Sequence, residues 1–511
     1  MNKAAIACSA LSIALLSACG SGSGDAPLPE NSNTPAAETA NADSNSTSEN
    51  TKISYVETYL RPMRGFEEPL PAVLEERDKF VSTNLALALQ RLSESDGNAV
   101  HFPVDQIAAY NQLAISAQGE TQAQLKAIYD APNISDDLFH QTHDLWLSRI
   151  VSQISKVGAR RTESWAQISY KFNSDYLDAQ ALNYTPALWA TDFANFPADA
   201  SQTISYWVNV QTGVIVPDPD ADPDADPYAD IDPDNHGDNL TATISAESRI
   251  VNGQYLVSAP EWTREIDVEN VAQTRFKADN GFVYEVPALR FQGEFKHVST
   301  EQYNAILLPL NNNQQISTMH LLVLMPSSGE FETIKAQVTP SFWNTLLASA
   351  EDELMTVTIP EFALTAEINN LAPTLAAQEA NADFSPVNHI GHLYNTLFSQ
   401  IGEMVVSREG LNSSAITMTQ LSAKQSEPTT AWADGFAPLT SPGLVNPPAV
   451  TPNISVNALD TINNCYDQGA AEATPFMFAL VESNSAAVLN IGQFVTPQDN
   501  SQTPLHIACG G

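Results

Sequence analysis

The chain has 511 residues, of which 43% are hydrophobic, so it can bury one large core or two ordinary ones. Its 60 acidic and 22 basic residues give a formal net charge of −38. A surface this acidic repels phosphate backbones, so we do not expect nucleic acid as a partner.

The N-terminus has the composition of a secretory signal. Lys3 precedes an apolar run over residues 4–16, which is too short to span a bilayer as a mature helix. Leu16-Ser17-Ala18-Cys19 follows where such a signal is cleaved, and it resembles a bacterial lipobox, in which the cysteine is acylated and becomes the new N-terminus. We therefore predict a signal peptide over residues 1–18 and lipid attachment at Cys19. An ordinary signal peptide that ends in small residues is the alternative.

The residue after Cys19 is glycine and not aspartate. By resemblance to Gram-negative lipoproteins, this implies the outer membrane, facing the extracellular space or the periplasm, with membrane contact through the lipid anchor only. Residues 21–51 are mostly Ser, Asn, Thr, Ala, Glu and Gly without apolar periodicity. We therefore predict that residues 19–52 are a flexible linker.

Two cysteines remain outside the signal and the lipid site, Cys465 and Cys509. In an oxidising compartment they could form one disulfide. Two spaced cysteines do not prove a bridge, so two free thiols stay open as the alternative.

The first half of the chain predicts helices. Apolar residues recur at helical spacing over residues 80–92 and 104–118. Thr121 and Gln124 have the spacing of a capping box, which predicts that a third helix opens at Thr121 and continues through Ile128. More helix is expected over residues 138–157.

After about residue 250, short β-rich runs replace the helices. These runs are interrupted or ended by proline: "GFVYEVPALRF", "NAILLPL", "MHLLVLMP" and "LMTVTIPEFAL". One helix, "PSFWNTLLASAE", separates them. Helices followed by strands indicate an α+β domain with antiparallel sheets.

Residues 216–239 are a low-complexity Asp/Pro segment, for which we predict an exposed acidic insertion. Calcium binding is the alternative, but Asn235 stands where an EF-hand needs glycine, and no glutamate closes the loop. His140 and His143 could share one helical face, but they have no evident third ligand, and such pairs are usually surface residues. No cofactor or metal site is therefore expected.

Four motifs occur in a fixed order along the chain. "NAVHFPVDQIAAYNQLAISAQGETQAQL" contains Asn98, Pro103, Gly119 and Thr121, and "RIVNGQYLVSAPEW" contains Asn252 and Trp262. "ADFS" and "PFMFALVESNSAAVLNIGQFVTP" follow at residues 382–385 and 475–497. Together they resemble the serpin family over residues 75–497, which leaves residues 498–511 as a C-terminal tail.

The resemblance implies a fold and a functional segment. The fold is α+β, with three β-sheets, eight or nine helices and an exposed reactive-centre loop that can enter the central sheet. The loop region corresponds to residues 409–464. By family register, the hinge of this loop is Glu409, Gly410, Leu411, Asn412, Ser413, Ser414 and Ala415.

Residues 411–424 contain no charge before Lys424. In a strand, alternate residues face the same side, so Leu411, Ser413, Ala415, Thr417, Thr419 and Leu421 would face the core together. Insertion would bury no unpaired charge. The segment is therefore compatible with an exposed loop and with a buried strand.

The resemblance implies a serine protease inhibitor that acts as a suicide substrate, and not an enzyme. The scissile bond corresponds to Lys424–Gln425, 14 residues beyond Gly410, and a lysine there implies a trypsin-like target. An ordinary solvated loop lysine is the alternative. The protein is expected to be a monomer with this protease as its partner.

Several residues depart from the family. Arg408 and the bulky Leu411 stand at positions where the usual hinge has glutamate and a small residue, and 64 residues separate Gly410 from Pro475. The serines that help the sheet to open are replaced by Phe102 and Asp105, and the usual partner histidine by Gln400. These departures favour the alternative function, a non-inhibitory serpin-like surface binding protein.

Overall fold

A computed structural model describes the part of the chain in which the elements below lie. The described residues are 53–55, 71–129, 134–168, 170–184, 186–211, 244–263, 272–278, 283–311, 318–369, 382–388, 393–423 and 472–497. Structural statements refer to these ranges. Within them, the chain forms eight α-helices and seventeen strands.

The helices are α1 (Pro71–Ser93), α2 (Pro103–Ala114), α3 (Gly119–Ala127), α4 (Asp136–Ile154), α5 (Ser174–Tyr184), α6 (Pro197–Gln211), α7 (Phe331–Gln337) and α8 (Pro340–Ser349). The strands of the N-terminal half are β1 (Ile53–Tyr55), β2 (Ala99–His101), β3 (Gly158–Gln167), β4 (Ala187–Thr191), β5 (Ser248–Ser258) and β6 (Glu261–Trp262). Those that follow are β7 (Ala272–Lys277), β8 (Val283–Ser299), β9 (Tyr303–Asn311), β10 (Met319–Pro326), β11 (Glu351–Pro360) and β12 (Phe362–Asn369). The last five are β13 (Leu393–Ser407), β14 (Gly410–Ala423), β15 (Glu472–Ala473), β16 (Phe476–Glu482) and β17 (Ala487–Phe494).

Local sequence explains where two of the helices begin. Proline is the first residue of α2 and of α8, where its missing N–H would have no helical partner and its fixed φ suits the first turn. At α8, the hydroxyl of Thr339 also accepts a hydrogen bond from the Phe342 N–H, over 3.2 Å between oxygen and nitrogen.

One sheet has seven strands in the order β1-β4-β3-β5-β14-β13-β12. Neighbouring strands are antiparallel except for β3 and β4, which are parallel. The sheet is covered on both faces at its centre. All twelve residues of α2 are buried on one side, and a cluster that includes Ile204 and Val208 of α6 packs on the other.

The remaining strands form a ten-stranded sheet whose main path is β15-β7-β8-β9-β10-β16-β17-β2, with β11 and β6 paired to β8 and β9. The family resemblance implied three sheets, whereas the described residues form two. The cause is the length of β8, which has 17 residues. Its first part pairs with β7, its middle with β11 and its end with β9, so one continuous strand joins two groups of strands.

The motifs that are distant in sequence contact one another. The side-chain oxygen of Asn98 accepts hydrogen bonds from the N–H groups of Val495 (2.7 Å) and Thr496 (3.1 Å). The hydroxyl of Thr121 accepts from the Asp383 N–H at 2.9 Å. The first motif therefore fixes the last one through Asn98 and the "ADFS" motif through Thr121.

The predicted capping box at the start of α3 is wrong. The helix begins at Gly119, two residues before Thr121. The Thr121 hydroxyl bonds Asp383, and Gln124 donates to the side chain of Glu120 (3.2 Å). The Thr121 hydroxyl oxygen therefore accepts a hydrogen bond from a residue distant in sequence, and not from the backbone at the start of the helix.

Candidate functional site: the central strand β14

Strand β14 lies inside the seven-stranded sheet as its fifth strand, between β5 and β13, and is antiparallel to both. Its pairing with β13 runs from Gly410 opposite Ser407 to Ala423 opposite Leu393. Its pairing with β5 runs from Ser413 opposite Ser258 to Ser422 opposite Ser248. The resemblance implied that this segment is exposed; in the structure it is a strand that has backbone partners on β13 from Gly410 onwards and on β5 from Ser413 onwards.

The two faces of β14 pack against different cores. Leu411, Ala415 and Leu421 belong to the main hydrophobic core, together with residues of α2. Ile416 and Met418 belong to the cluster that packs under α6. Every residue of the strand except Asn412 is buried. Odd-numbered residues of the strand therefore pack into the main core and even-numbered residues into the cluster under α6, which is the two-residue alternation expected from the sequence.

Several polar side chains of β14 also have hydrogen-bond partners on other elements. Four of these contacts cross to other elements and lie between 2.9 and 3.4 Å: Ser413 Oγ to Asn490 Oδ1, Gln400 Nε2 to Thr417 Oγ1, Asn252 Nδ2 to Thr419 Oγ1, and Gln420 Nε2 to Thr396 Oγ1. A buried polar group without a partner would cost about 1–3 kcal/mol. These partners therefore favour one register of the strand.

The predicted hinge residues begin at the turn between β13 and β14. Gly410 has φ +136°, and a Cβ there would lie 2.5 Å from the carbonyl oxygen of Pro260. The same oxygen accepts a hydrogen bond from the Leu411 N–H at 3.0 Å. A glycine is therefore required at position 410 in this conformation.

The turn itself is held by side chains. The carboxylate of Glu409 accepts from the Ser407 hydroxyl and from Arg408 Nε, both at 2.8 Å. The indole N–H of Trp262 donates to the Ser407 carbonyl oxygen at 2.8 Å. Trp262, which the second motif singled out, thus holds the end of β13, from which the chain turns into β14.

Beneath the sheet, Phe102 contacts Gln400 and Gly402 of β13, and Gln400 also contacts β14. The Gln400 amide donates to the Phe102 carbonyl oxygen at 3.0 Å as well as to Thr417. A Cβ on Gly402 would lie 2.2 Å from an atom of the Phe102 ring. The Phe102 ring therefore packs directly against Gly402, where any side chain would overlap it. The sequence alone did not indicate this contact.

Asp105 is buried at the start of α2. Burial raises the pKa of its carboxyl well above the usual range, while Arg160 on β3 opposes this rise. Burial likewise lowers the pKa of Arg160 to about 10. The guanidinium donates to Gln254 of β5 at 2.7 Å, and Gln254 donates to Gln112 of α2 at 2.7 Å. This polar chain ties β3 and β5, next to β14, to α2.

Other predicted residues lie outside the described ranges. These are Cys19, Lys424, Gln425, Cys465, Cys509 and the Asp/Pro segment 216–239. His140 and His143, expected on the surface, are buried in α4 instead. No group of three or more His, Cys, Asp or Glu with metal-binding geometry occurs in the described part of the chain. None of the helices described there is both long and apolar enough to cross a membrane.

Sequence comparisons identify the family. The model of the family described as serpin (serine protease inhibitor) matches residues 80–225 and 235–436. An uncharacterized serpin-like protein of Thermococcus kodakarensis is 22% identical over 274 residues, which are 53% of this chain and 58% of that protein. Serpin B13 of Homo sapiens is 21% identical over 450 residues, 82% of this chain and 98% of that protein. The match thus spans little more than half of the archaeal relative and nearly all of the human one.

Solved structures show the same fold. A loop-inserted, cleaved ovalbumin mutant has a TM-score of 0.62 at 15% identity, covering 82% of this chain and 99% of that chain. Cleaved Serpin 42Da has a TM-score of 0.61 at 14% identity, covering 83% and 100%. The thermophilic serpin tengpin in its latent state has a TM-score of 0.59 at 15% identity, covering 84% and 99%.

The family model matches more than half of the chain, and the architecture matches that of these structures over most of its length. The chain therefore belongs to the serpin family, whose members are generally protease inhibitors.

Proposed function

We propose that this serpin inhibits a serine protease as a suicide substrate. The observation that carries the proposal is β14, an uncharged strand of which every residue except Asn412 is buried. Leu411, Ile416, Met418 and Leu421 are each at most 2% exposed. Burying four such side chains contributes on the order of 10 kcal/mol, which is the driving force that a trap based on strand insertion needs.

The proposed reaction begins as ordinary proteolysis at Lys424–Gln425. The protease serine attacks the Lys424 carbonyl carbon, the peptide bond breaks, and the Gln425 amine leaves with a proton, so that Lys424 is esterified to the protease. Insertion of residues 411–423 then moves the bound protease along the sheet. Distortion of its catalytic site stops water from hydrolysing the ester.

The target is proposed to be a trypsin-like protease, because Lys424 suits a specificity pocket that contains a buried carboxylate. The inhibitor itself performs no catalysis in this scheme. It acts as a monomer, and the protease is its partner.

The place of action is proposed from the N-terminus. Acylated Cys19 would hold the protein in the outer membrane, and the linker over residues 19–52 would separate the inhibitory domain from the bilayer. The target would then be a protease of the extracellular space or the periplasm. Retention of metabolically labelled acyl groups by the wild type, and not by Cys19→Ser, tests this part of the proposal.

A binding protein without inhibitory activity is the second candidate, and one observation favours it. Leu411, the first residue to enter the sheet, is bulky where the family has a small residue. Burying such a side chain at the start of the strand slows insertion, and a slow insertion lets the ester hydrolyse first. The same fold would then bind a partner through its surface without forming a stable complex with a protease.

The test uses Cys19→Ser protein that starts at residue 19 and receives trypsin within minutes of refolding. A denaturation-resistant band of summed mass on a gel supports the proposal. Ala415→Glu should abolish the band and yield only cleaved protein, because insertion would bury an unpaired carboxylate in the core. Asn412→Glu is the matched control, since Asn412 is the exposed residue of the strand. Clean cleavage of the wild type, with the protease fully active, would leave the binding protein as the better account.

A further inference from the structure

Strand β11 is a long strand at an edge of the ten-stranded sheet. It has ten residues, and β8 is its only partner among the described strands. The edge strands β1, β2 and β15 have two or three residues each, and β12 has eight. Proteins usually shorten or cover their sheet edges, because unpaired backbone groups accept a further strand. The length of β11 therefore makes its outer edge a candidate interaction surface.

The direction of the free backbone groups of β11 follows from one hydrogen bond. The carbonyl oxygen of Pro287 on β8 accepts from the Glu361 N–H at 2.9 Å, so the backbone of Pro287 points to the side on which β11 lies. Backbone groups of successive strand residues point to opposite sides, so odd-numbered residues of β8 bond odd-numbered residues of β11. The even-numbered residues of β11 therefore direct their N–H and C=O groups outwards; these are Asp352, Leu354, Thr356 and Thr358.

The last residue of the strand agrees with this assignment. Pro360 is even-numbered, so its missing N–H lies on the outer side, where it removes no bond to β8. No backbone hydrogen bond from another described residue reaches the outward groups of β11. They can therefore pair with an added strand.

The two faces of this edge differ in their side chains. On the solvent face, Leu354 is 73% exposed, which is more than any other large apolar side chain in the described part of the chain. On the opposite face, Met355 packs half-buried against the main core, to which Val357 and Ile359 belong. A strand added beside β11 would therefore extend the apolar core on one face and cover Leu354 on the other.

The charge at the beginning of β11 is negative. The strand opens with three acidic residues, 351–353, and Glu294 lies beside them on β8. Lys296 and His297 contact the second and the third of these acids, at 3.7 and 2.9 Å. Glu294 and the first acid have no ion pair with any residue that the structure describes. The exposed end of the edge is therefore rich in carboxylates.

This charge decides which strand can pair there. A second copy of the chain would bring the same three acids and a net charge of −38, so repulsion opposes pairing between two copies. A segment with basic side chains on its solvent face would be attracted instead. The aliphatic stems of those side chains would cover Leu354 while their charged ends reach the carboxylates.

We propose that β11 binds an extended segment of another protein in which basic and apolar residues alternate. The segment pairs as a strand with the outward N–H and C=O groups of β11. Its basic side chains lie over Leu354 and the neighbouring acids, and its apolar side chains lie beside Met355. This surface is separate from β14 and does not depend on the proposed inhibition.

The test measures binding of a short labelled peptide of alternating lysine and valine to the Cys19→Ser protein that starts at residue 19. Fluorescence anisotropy is recorded in about 0.15 M salt, which screens attraction at long range. The wild-type sequence should bind this peptide. It should bind neither the peptide with glutamate in place of lysine nor the basic peptide with every backbone nitrogen methylated. Absence of binding to the basic peptide would overturn the proposal, and so would equal binding of the methylated peptide, because charge alone would then explain it.

Thr356→Pro tests the strand pairing itself. It removes one outward N–H, and proline at such a position leaves the bonds to β8 in place. Thr356→Ala is the matched control, because it also loses the threonine side chain but keeps the N–H. The basic peptide should bind Thr356→Ala like the wild type and Thr356→Pro at least about tenfold more weakly. Equal affinities of these two variants would contradict the pairing.

A second variant does not depend on the folding of Thr356→Pro. Leu354→Lys changes an exposed side chain, and it should weaken binding of the basic peptide by about tenfold, through charge repulsion and loss of the apolar contact. Thr365→Lys is its control, since it adds the same charge at an exposed position of β12 in the other sheet. Equal weakening by both variants would refute a site at β11. A dimer of the wild type that Thr356→Pro dissociates, seen by sedimentation, would identify a second copy as the occupant and overturn the proposal.

Discussion

The side-chain amide of Gln400 on β13 donates to the hydroxyl of Thr417 on β14, with 2.9 Å between nitrogen and oxygen. Both side chains are buried, at 1% and 0% exposure. Thr417 lies opposite Gln400 only while β14 is paired with β13, so this hydrogen bond forms only when β14 lies in the sheet. It therefore reports directly on the inserted conformation.

Thr417→Val should lower the stability of the inserted form by about 1–2 kcal/mol, since the shape is kept and the Gln400 amide loses one partner. Urea unfolding of the uncleaved protein measures this loss. The double variant with Gln400→Ala should lose less than the sum of the two single variants, because the residues share one interaction. Strict additivity would show that the hydrogen bond contributes nothing.

Gly402→Ala should destabilise the protein by about 2 kcal/mol or more, because the new methyl group would lie 2.2 Å from the Phe102 ring. Differential scanning calorimetry would show a lower melting temperature. Combining the substitution with Phe102→Leu should recover part of the loss, since the smaller side chain frees the space. If Gly402→Ala melts like the wild type, the close approach is not a constraint.

Gly410→Ala should destabilise the inserted form, because position 410 has φ +136° and a Cβ there would lie 2.5 Å from the Pro260 oxygen. We expect a loss of about 2–3 kcal/mol, from backbone strain and steric overlap together. Amide exchange should accelerate first in residues 411–413, next to the turn. Unchanged exchange there would show that the turn tolerates a side chain.

His101 should make the fold sensitive to acid. Burial, with a smaller contribution from Arg91, lowers the pKa of its imidazole from 6.5 to about 4, against the opposing effect of Glu94. The folded protein thus keeps the ring neutral while the unfolded chain takes up a proton below about pH 6.5. The stabilisation is therefore complete above pH 6.5 and is lost as the pH falls towards 4, by up to about 3 kcal/mol.

His101→Gln removes this titration. Its free energy of unfolding should fall less steeply than that of the wild type between pH 6.5 and pH 4, as measured by urea unfolding at several pH values. Parallel pH profiles for the two proteins would contradict the assignment.

The sequence contains enough information for the alternation of β14, because a strand has a period of two residues and the segment has no charge to bury. It does not contain enough to choose between the exposed loop and the strand. That choice depends on the free energy of the whole sheet, which is not a local property of residues 411–423.

Contacts between distant residues explain what else was missed. The fit of Phe102 to Gly402 joins positions 300 residues apart, and either residue alone carries no signal. Thr121 has the local signature of a helix cap, but its hydroxyl bonds the Asp383 N–H. By contrast, Asn98 and Trp262 could be identified as important from their motifs, and the structure supplies their contacts with Val495 and Ser407.

Strand β1, directly after the predicted linker, pairs Ile53, Ser54 and Tyr55 with residues 189–191 of β4. A bare β4 would offer its free N–H and C=O groups to any passing chain, which is how sheets grow into fibres. Under the proposed anchoring at Cys19, copies of the protein would meet at high local concentration, where such growth is fastest. Pairing with β1 covers β4 and leaves a strand of only three residues at this edge of the sheet, and so short an edge is a poor template for growth between molecules.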